Sequence, residues 1–89
     1  MKQLTRSTQF KKDIKRIIKR SYKLEKLETV LTLLLNGDTL PKQYKCHKLI
    51  GNYVDYLECH IEPDWLLIYK ESEALIELAR TGTHADLFW

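Results

Sequence analysis

"YVDYLECHIEPDWLLIYKESEALIELART", Tyr53 to Thr81, decides the fold. Three runs rich in aromatic and branched residues, "YVDYLECHI", "DWLLIYK" and "EALIELART", are separated by the turn signals "EPD" and "KESE". They read as three successive strands pairing antiparallel through tight turns. Hairpin counting sets His60 opposite Asp64 or Trp65 and brings Ala79 and Arg80 beside Asp64. One end of the sheet then gathers His60, Asp64, Trp65 and Arg80. His84 follows within reach, because Gly82 in "TGTH" lets the chain bend sharply.

Upstream, the periodicity changes. "KQLTR" (Lys2 to Arg6) alternates like a short strand, and Ser7 is placed to cap a helix carrying Phe10, Ile14, Ile17 and Ile18 at helical spacing, ending near Ser21. A second helix shows the stripe Leu24, Leu27, Leu31, Leu34 and Leu35, and stops at "NGD", where Gly37 accepts a left-handed conformation. Between helices and strands, "TLPKQYKCHKLIGN" holds Pro41 and Gly51 and reads mostly as loop. The predicted order is β-α-α-β-β-β, an α+β fold in which a helical hairpin packs on an antiparallel sheet.

The 89 residues are enough for one domain, residues 1–89, with one modest core and room for one site. A hydrophobic share of 44% and a charged share of 30% are those of a globular domain. The charged start is unlike a secretory leader, and the longest apolar run, Leu33 to Leu35, is far too short to span a bilayer; a cytoplasmic protein with no membrane partner is expected. In that reducing compartment Cys46 and Cys59 are read as thiols.

The formal charge of +3 hides an asymmetry: residues 1–26 hold ten Lys/Arg against two acids, a balance of +8, while residues 27–89 hold five against ten, −5. A basic half points to a polyanionic partner, with nucleic acid leading. On the first helix Lys12, Arg16, Lys19 and Lys23 lie opposite the apolar stripe. The ordinary reading of such a stripe is a solvated face, but a charge this dense and so little relieved by acid favours RNA contact. Asp55, Glu58 and Glu62 are unhelpful to RNA at the other edge.

Histidines, an aspartate and an arginine at one strand end suit RNA cleavage without metal or cofactor. That chemistry takes a base for the ribose 2′-hydroxyl, an acid for the departing 5′-oxygen and a cation for the charge growing on phosphorus oxygens. Imidazole titrates near neutrality and serves the first two roles, while guanidinium serves the third with a bidentate fork. Taken singly the residues have plainer readings: His60 ends a strand, Asp64 caps the Pro63 turn, and Asp64 with Arg80 is a surface ion pair worth ~0–1 kcal/mol. Their convergence is what favours a site. The repeated "CH", Cys46-His47 and Cys59-His60, raises a Cys2His2 metal site, but adjacent strand residues face opposite ways and do not both ligate easily.

At "HKLIGNY…ECHIEPDWLLIYK…LARTGTHADLF" the chain resembles the YafQ branch of the RelE/ParE toxin superfamily. The resemblance implies a RelE-like fold and a type II toxin acting as an mRNA interferase, an endoribonuclease that cleaves messenger RNA in the ribosomal A site. Its implied partners are a cognate acidic antitoxin, the ribosome and mRNA, with operator DNA bound only through the antitoxin complex. Carried over by position, the catalytic residues are His47, His60, Asp64, Arg80 and His84, with His84 as general acid and His47, His60 and Asp64 sharing base and orienting roles. Trp65 and Phe88 pack or stack around the RNA. Relatives commonly have a basic residue and a Trp before "HIEPDW", where this chain has Tyr53, Val54, Asp55 and Leu57. That leaves Arg80 as the only arginine outside residues 1–20. The alternative is a non-catalytic member that binds protein or nucleic acid through the same face.

Overall fold

A computed structural model describes residues 1–88, with Asn52 by its backbone alone. The elements are β1 (Gln3–Arg6), α1 (Thr8–Lys19), α2 (Leu24–Leu35), β2 (His47–Lys48), β3 (Leu57–Glu62), β4 (Trp65–Glu71), β5 (Leu75–Gly82) and α3 (His84–Phe88), with 3₁₀ turns at Lys42–Tyr44 and Gly51–Tyr53. The expected β-α-α-β-β-β order is present, with β2 and α3 added to it.

Ser7 caps α1 as its position predicts: its Oγ accepts from the Phe10 backbone N–H at 2.9 Å and donates to the Ala79 carbonyl at 2.7 Å, tying the helix start to β5. Ser21, at φ 61°, turns the chain into α2. That helix ends where Gly37, at φ 77°, donates its N–H to the Leu34 carbonyl. The sheet runs β1-β5-β4-β3-β2. It is mixed rather than wholly antiparallel, since β1 lies parallel to β5 with Gln3 opposite Leu75. The helical hairpin provides the long crossover that a parallel neighbour requires.

β4 sits at the centre and is buried on both faces from Trp65 to Tyr69. Its odd positions Trp65, Leu67 and Tyr69 join Phe10, Ile17, Leu27, Val30 and Leu34 beneath the helices. Its even positions Leu66 and Ile68 meet Leu87 of α3, with Leu49, Tyr53 and Tyr56 of the β2–β3 region packed around them. Side chains alternate across a strand, so this second face is also where Glu58 and His60 of β3 emerge. Among the described residues no helix is long and apolar enough to cross a membrane.

Two registers differ from simple counting. His60 pairs with Leu66, and Trp65 with Glu62, because the strands shift between His60 and Glu62. Arg80 pairs with Ile68 instead of Asp64. The strand β4 continues through Lys70 and Glu71, so Glu71 faces Ile76 and the turn is confined to Ser72–Ala74. A second shift, pairing Ile68 with Arg80 but Tyr69 with Leu78, leaves Ala79 as an extra residue. Such bulges re-aim side chains, and here the re-aimed residue is Arg80.

Candidate active site

Three imidazoles form a row on the second face. The ring centroids of His47 and His60 are 6.2 Å apart, and those of His60 and His84 5.8 Å. Each ring arrives by a different device. Lys45, left-handed at φ 47°, ends the first 3₁₀ turn and leads into β2, whose pairing sets His47 opposite Glu58. The sequence reads this segment as loop because two exposed residues carry no periodic signal. His60 follows two positions after Glu58 on the same face. His84 opens α3, which the sequence also leaves unpredicted, although "THAD" is a capping box: the Asp86 N–H donates to Thr83 Oγ1 at 3.1 Å, and the Thr83 N–H to Asp86 Oδ2 at 3.0 Å.

Polar partners fix each ring. Asp64 Oδ1 accepts from the His84 backbone N–H at 2.9 Å and pairs with His84 Nδ1. The convergence of Asp64 on the site therefore stands, but its partner is His84, not Arg80. Glu58, 7% exposed, places Oε1 at 3.3 Å from His47 Nε2 and 3.2 Å from His60 Nε2. Sequence reasoning missed it, counting it only as surface acid. The signal available was alternation, which puts Glu58 and His60 on one face, away from Cys59. His47 Nδ1 lies 2.8 Å from the Lys45 carbonyl, an acceptor only, so Nδ1 carries the proton that it donates.

Arg80 is held from behind. Its Nε donates to Asp13 Oδ2 at 2.7 Å and its Nη2 to Asp13 Oδ1 at 3.2 Å, while the Thr81 N–H also donates to Asp13 Oδ2 at 3.1 Å. Asp13 is fully buried, and Arg80 remains 19% exposed. The bond to Asp13 raises the pKa of Arg80, keeping a permanent cation at the bulge. The Tyr53 hydroxyl also stands beside the guanidinium and adds a lesser contribution in the same direction.

Other expectations need correction. Trp65 does not face a substrate: it is 1% exposed, packs against Tyr22 at 5.0 Å between centroids, and donates its indole N–H to Thr81 Oγ1 at 2.9 Å. Tyr53 stands nearer the site, edge-on to Phe88 at 6.2 Å, and Phe88 is 46% exposed. Lys12 and Lys19 are exposed, but Arg16 is a strut between α1 and α3, 3.7 Å from Asp13 and 3.5 Å from Asp86. The cysteines take no part in the row. Cys59 is buried on the helix side, where burial pushes its thiol up to about 12, and Cys46 Sγ lies 3.2 Å from the Tyr69 hydroxyl.

Two carboxylates of the site are depressed. A hydrogen bond from Arg20 at 2.7 Å, and lesser ones from Thr83, hold Asp86 well below the usual carboxylate range. Asp64 is lowered by the backbone N–H of His84 and then by its side chain. A depressed carboxylate contributes stability that is present above its unfolded value of about 4 and lost as pH falls through the folded value. The urea midpoint should therefore fall below about pH 4, and Asp86→Asn should lower it at pH 7 while flattening that acid limb. Parallel pH profiles for wild type and variant would refute this.

Gly82 positions α3 by close approach. Its φ is 153°, and a Cβ there would lie 2.9 Å from Asp86 Oδ2 and 3.0 Å from Asp86 Cβ. Asp86 cannot swing away without leaving Arg20 and Thr83. Gly82→Ala should cost about 1–3 kcal/mol and displace His84, read as a lower melting temperature together with lost activity. A fully active, equally stable variant would reject the role.

A family description reading "bacterial toxin of type II toxin-antitoxin system, YafQ" matches residues 2–89. The mRNA interferase toxin YafQ of Escherichia coli strain K12 is 47% identical over 83 residues, 92% of this chain and 90% of that protein. The E. coli DinJ–YafQ complex contains a chain that superposes with TM-score 0.93 at 43% identity, covering 100% of both chains. A metal-bound toxin from Helicobacter pylori does so with TM-score 0.91 at 37% identity, covering 99% of this chain and 100% of that one. With the described fold shared from end to end and the match spanning nearly every residue, the chain belongs to the YafQ family of bacterial type II toxin–antitoxin toxins.

Proposed function

We propose that this toxin is an endoribonuclease that cuts translated mRNA in the ribosomal A site of the cytoplasm, by 2′-hydroxyl attack without a metal. The observation that carries the reading is the row of three imidazoles, His84 held by Asp64 and the other two by a shared Glu58, beside an arginine fixed at a bulge. His84 is the general acid. Its Nδ1 is engaged by Asp64, which stabilises the imidazolium and leaves Nε2–H to protonate the departing 5′-oxygen. Asp64 is thereby committed, so the base role falls to His47 or His60, both oriented by Glu58. Arg80 Nη1 meets the charge that builds on the phosphorus oxygens. Phe88 and Tyr53 give an unpaired base an aromatic surface, and Lys12 and Lys19 meet the RNA backbone.

Attack by the 2′-oxygen leaves a 2′,3′-cyclic phosphate on one fragment and a 5′-hydroxyl on the other. End-group analysis of mRNA cut in a purified translation system should find both; a 5′-phosphate would reject the mechanism. Intact mRNA despite growth arrest on expression would reject the ribonuclease. The antitoxin for a surface of this charge is acidic where it docks, covering the catalytic end or the basic helices, and operator DNA is contacted through that complex.

A further inference from the structure

The repeated "CH" supplies two thiols that the imidazole row does not use. Among the described residues β2 is an edge strand of two residues, with His47 opposite Glu58 and Lys48 opposite Leu57. Continuing that pairing one position back sets Cys46 opposite Cys59. Both point to the helix side: Cys59 belongs to the core there, and Cys46 Sγ reaches the Tyr69 hydroxyl at 3.2 Å. The Cys46 sulfur lies close enough to add to the upward push that burial exerts on the Cys59 thiol. Directly opposed residues of an antiparallel pair hold their Cα atoms about 4.5–5.5 Å apart. A disulfide spans roughly 4.4–6.8 Å between Cα atoms, so the two thiols can join without a shift of the backbone.

We propose that Cys46 and Cys59 form a cross-strand disulfide when the toxin meets hydrogen peroxide, and that this bond clasps β2 to the sheet. Cys46 is the exposed partner and Cys59 the buried one, which assigns the order of events. The Cys46 thiolate attacks one peroxide oxygen and the O–O bond breaks, leaving a sulfenic acid on Cys46. The hydroxide released takes up the proton that Cys46 gave up and becomes water. The Cys59 sulfur then attacks Cys46 Sγ, and its proton goes to the departing hydroxyl, which leaves as a second water. Two thiols are oxidised and one peroxide is reduced. Tyr69 assists the first step: burial and the bond to Cys46 raise its pKa, so its hydroxyl stays protonated and donates to the thiolate. The cleft over Cys46 sets Lys42 and Lys45 against Asp38 and Glu71, a balance that suits a small neutral oxidant. Closing the short loop from residue 46 to residue 59 restricts the unfolded chain and holds β2 in register. His47 and His60 lie on the face opposite the sulfurs, so the row keeps its spacing.

The test uses the untagged full chain, dilute and reduced, then treated with hydrogen peroxide. The intact mass should fall by two hydrogens, and trypsin should release residues 46–48 joined to residues 49–70 through a bond that dithiothreitol cleaves. Cys59→Ala should stop at a sulfenic acid on Cys46, trapped by dimedone, and Cys46→Ser should leave Cys59 reduced. Oxidation should raise the urea midpoint of the wild type by about 1 M or more and slow amide exchange across residues 46–49 at least about 10-fold. Neither change should occur in Cys46→Ser. No internal bond, chains linked in pairs, or Cys46 carried on to sulfinic acid with Cys59 untouched would overturn the disulfide. An internal bond that leaves the urea midpoint and the exchange unchanged would overturn the clasp. None of these readouts involves RNA, so they stand apart from the ribonuclease reading.

Discussion

His84→Ala should slow cleavage by about 10²–10⁴-fold, the usual worth of a positioned general acid, and leave the fold intact. The imidazole is 50% exposed and its chief contact is Asp64, itself 65% exposed. Surface changes of this kind stay within about 0.5 kcal/mol of stability, so the urea midpoint should barely move. The loss should fall on kcat, since an acid that protonates the leaving oxygen acts in the transition state more than in substrate binding. Asp64→Asn should give a smaller loss, because it removes the charge that favours the imidazolium but keeps an acceptor. Undiminished cleavage by His84→Ala would remove the acid from the mechanism.

Arg80→Ala should be the most damaging single change, for two separable reasons. It removes the cation proposed to face the phosphate, and it strips the main partner from a carboxylate with no solvent exposure. Breaking a buried ion pair costs about 3–5 kcal/mol, against a total of about 5–15 kcal/mol for a domain. Gln9 at 3.3 Å, the Thr81 N–H and Arg16 remain near Asp13, which places the expected loss near the lower bound, about 3 kcal/mol. Adding Asp13→Asn separates the effects: the double variant should recover much of the urea midpoint while staying inactive. A single Arg80→Ala variant as stable as wild type would show that Asp13 does not depend on it.

What could be read from the sequence follows from signal length. The helices announce themselves through stripes of apolar residues and the Ser7 and Gly37 boundaries, and the Pro63 turn marks β3 and β4. The strand β2 and helix α3 are too short for any period to show. The β4–β5 register escapes because Lys70 and Glu71 look like turn residues yet continue the strand, and because no pattern announces the extra residue Ala79. Within the site, His60, Asp64 and His84 converge as their spacing implies. Glu58 and Asp13 hide because a carboxylate reads alike in a sequence whether it faces water or a buried partner. Trp65 shows the opposite error: it shares its face with Leu67 and Tyr69, so the alternation that buries them buries it too.

The pairing of β1 with β5 has a temporal side. Gln3–Arg6 lie far ahead in the chain of Leu75–Leu78, their only strand neighbour among the described residues. His84 and Phe88 come later still. A growing chain of this toxin carries an unpaired β1 until β5 is made and two-thirds of an imidazole row until α3 is made. Long-range closure of this kind is slow compared with local helix formation. The imidazole row is therefore one of the late-assembling parts of this domain, after the helices and most of the sheet have been made.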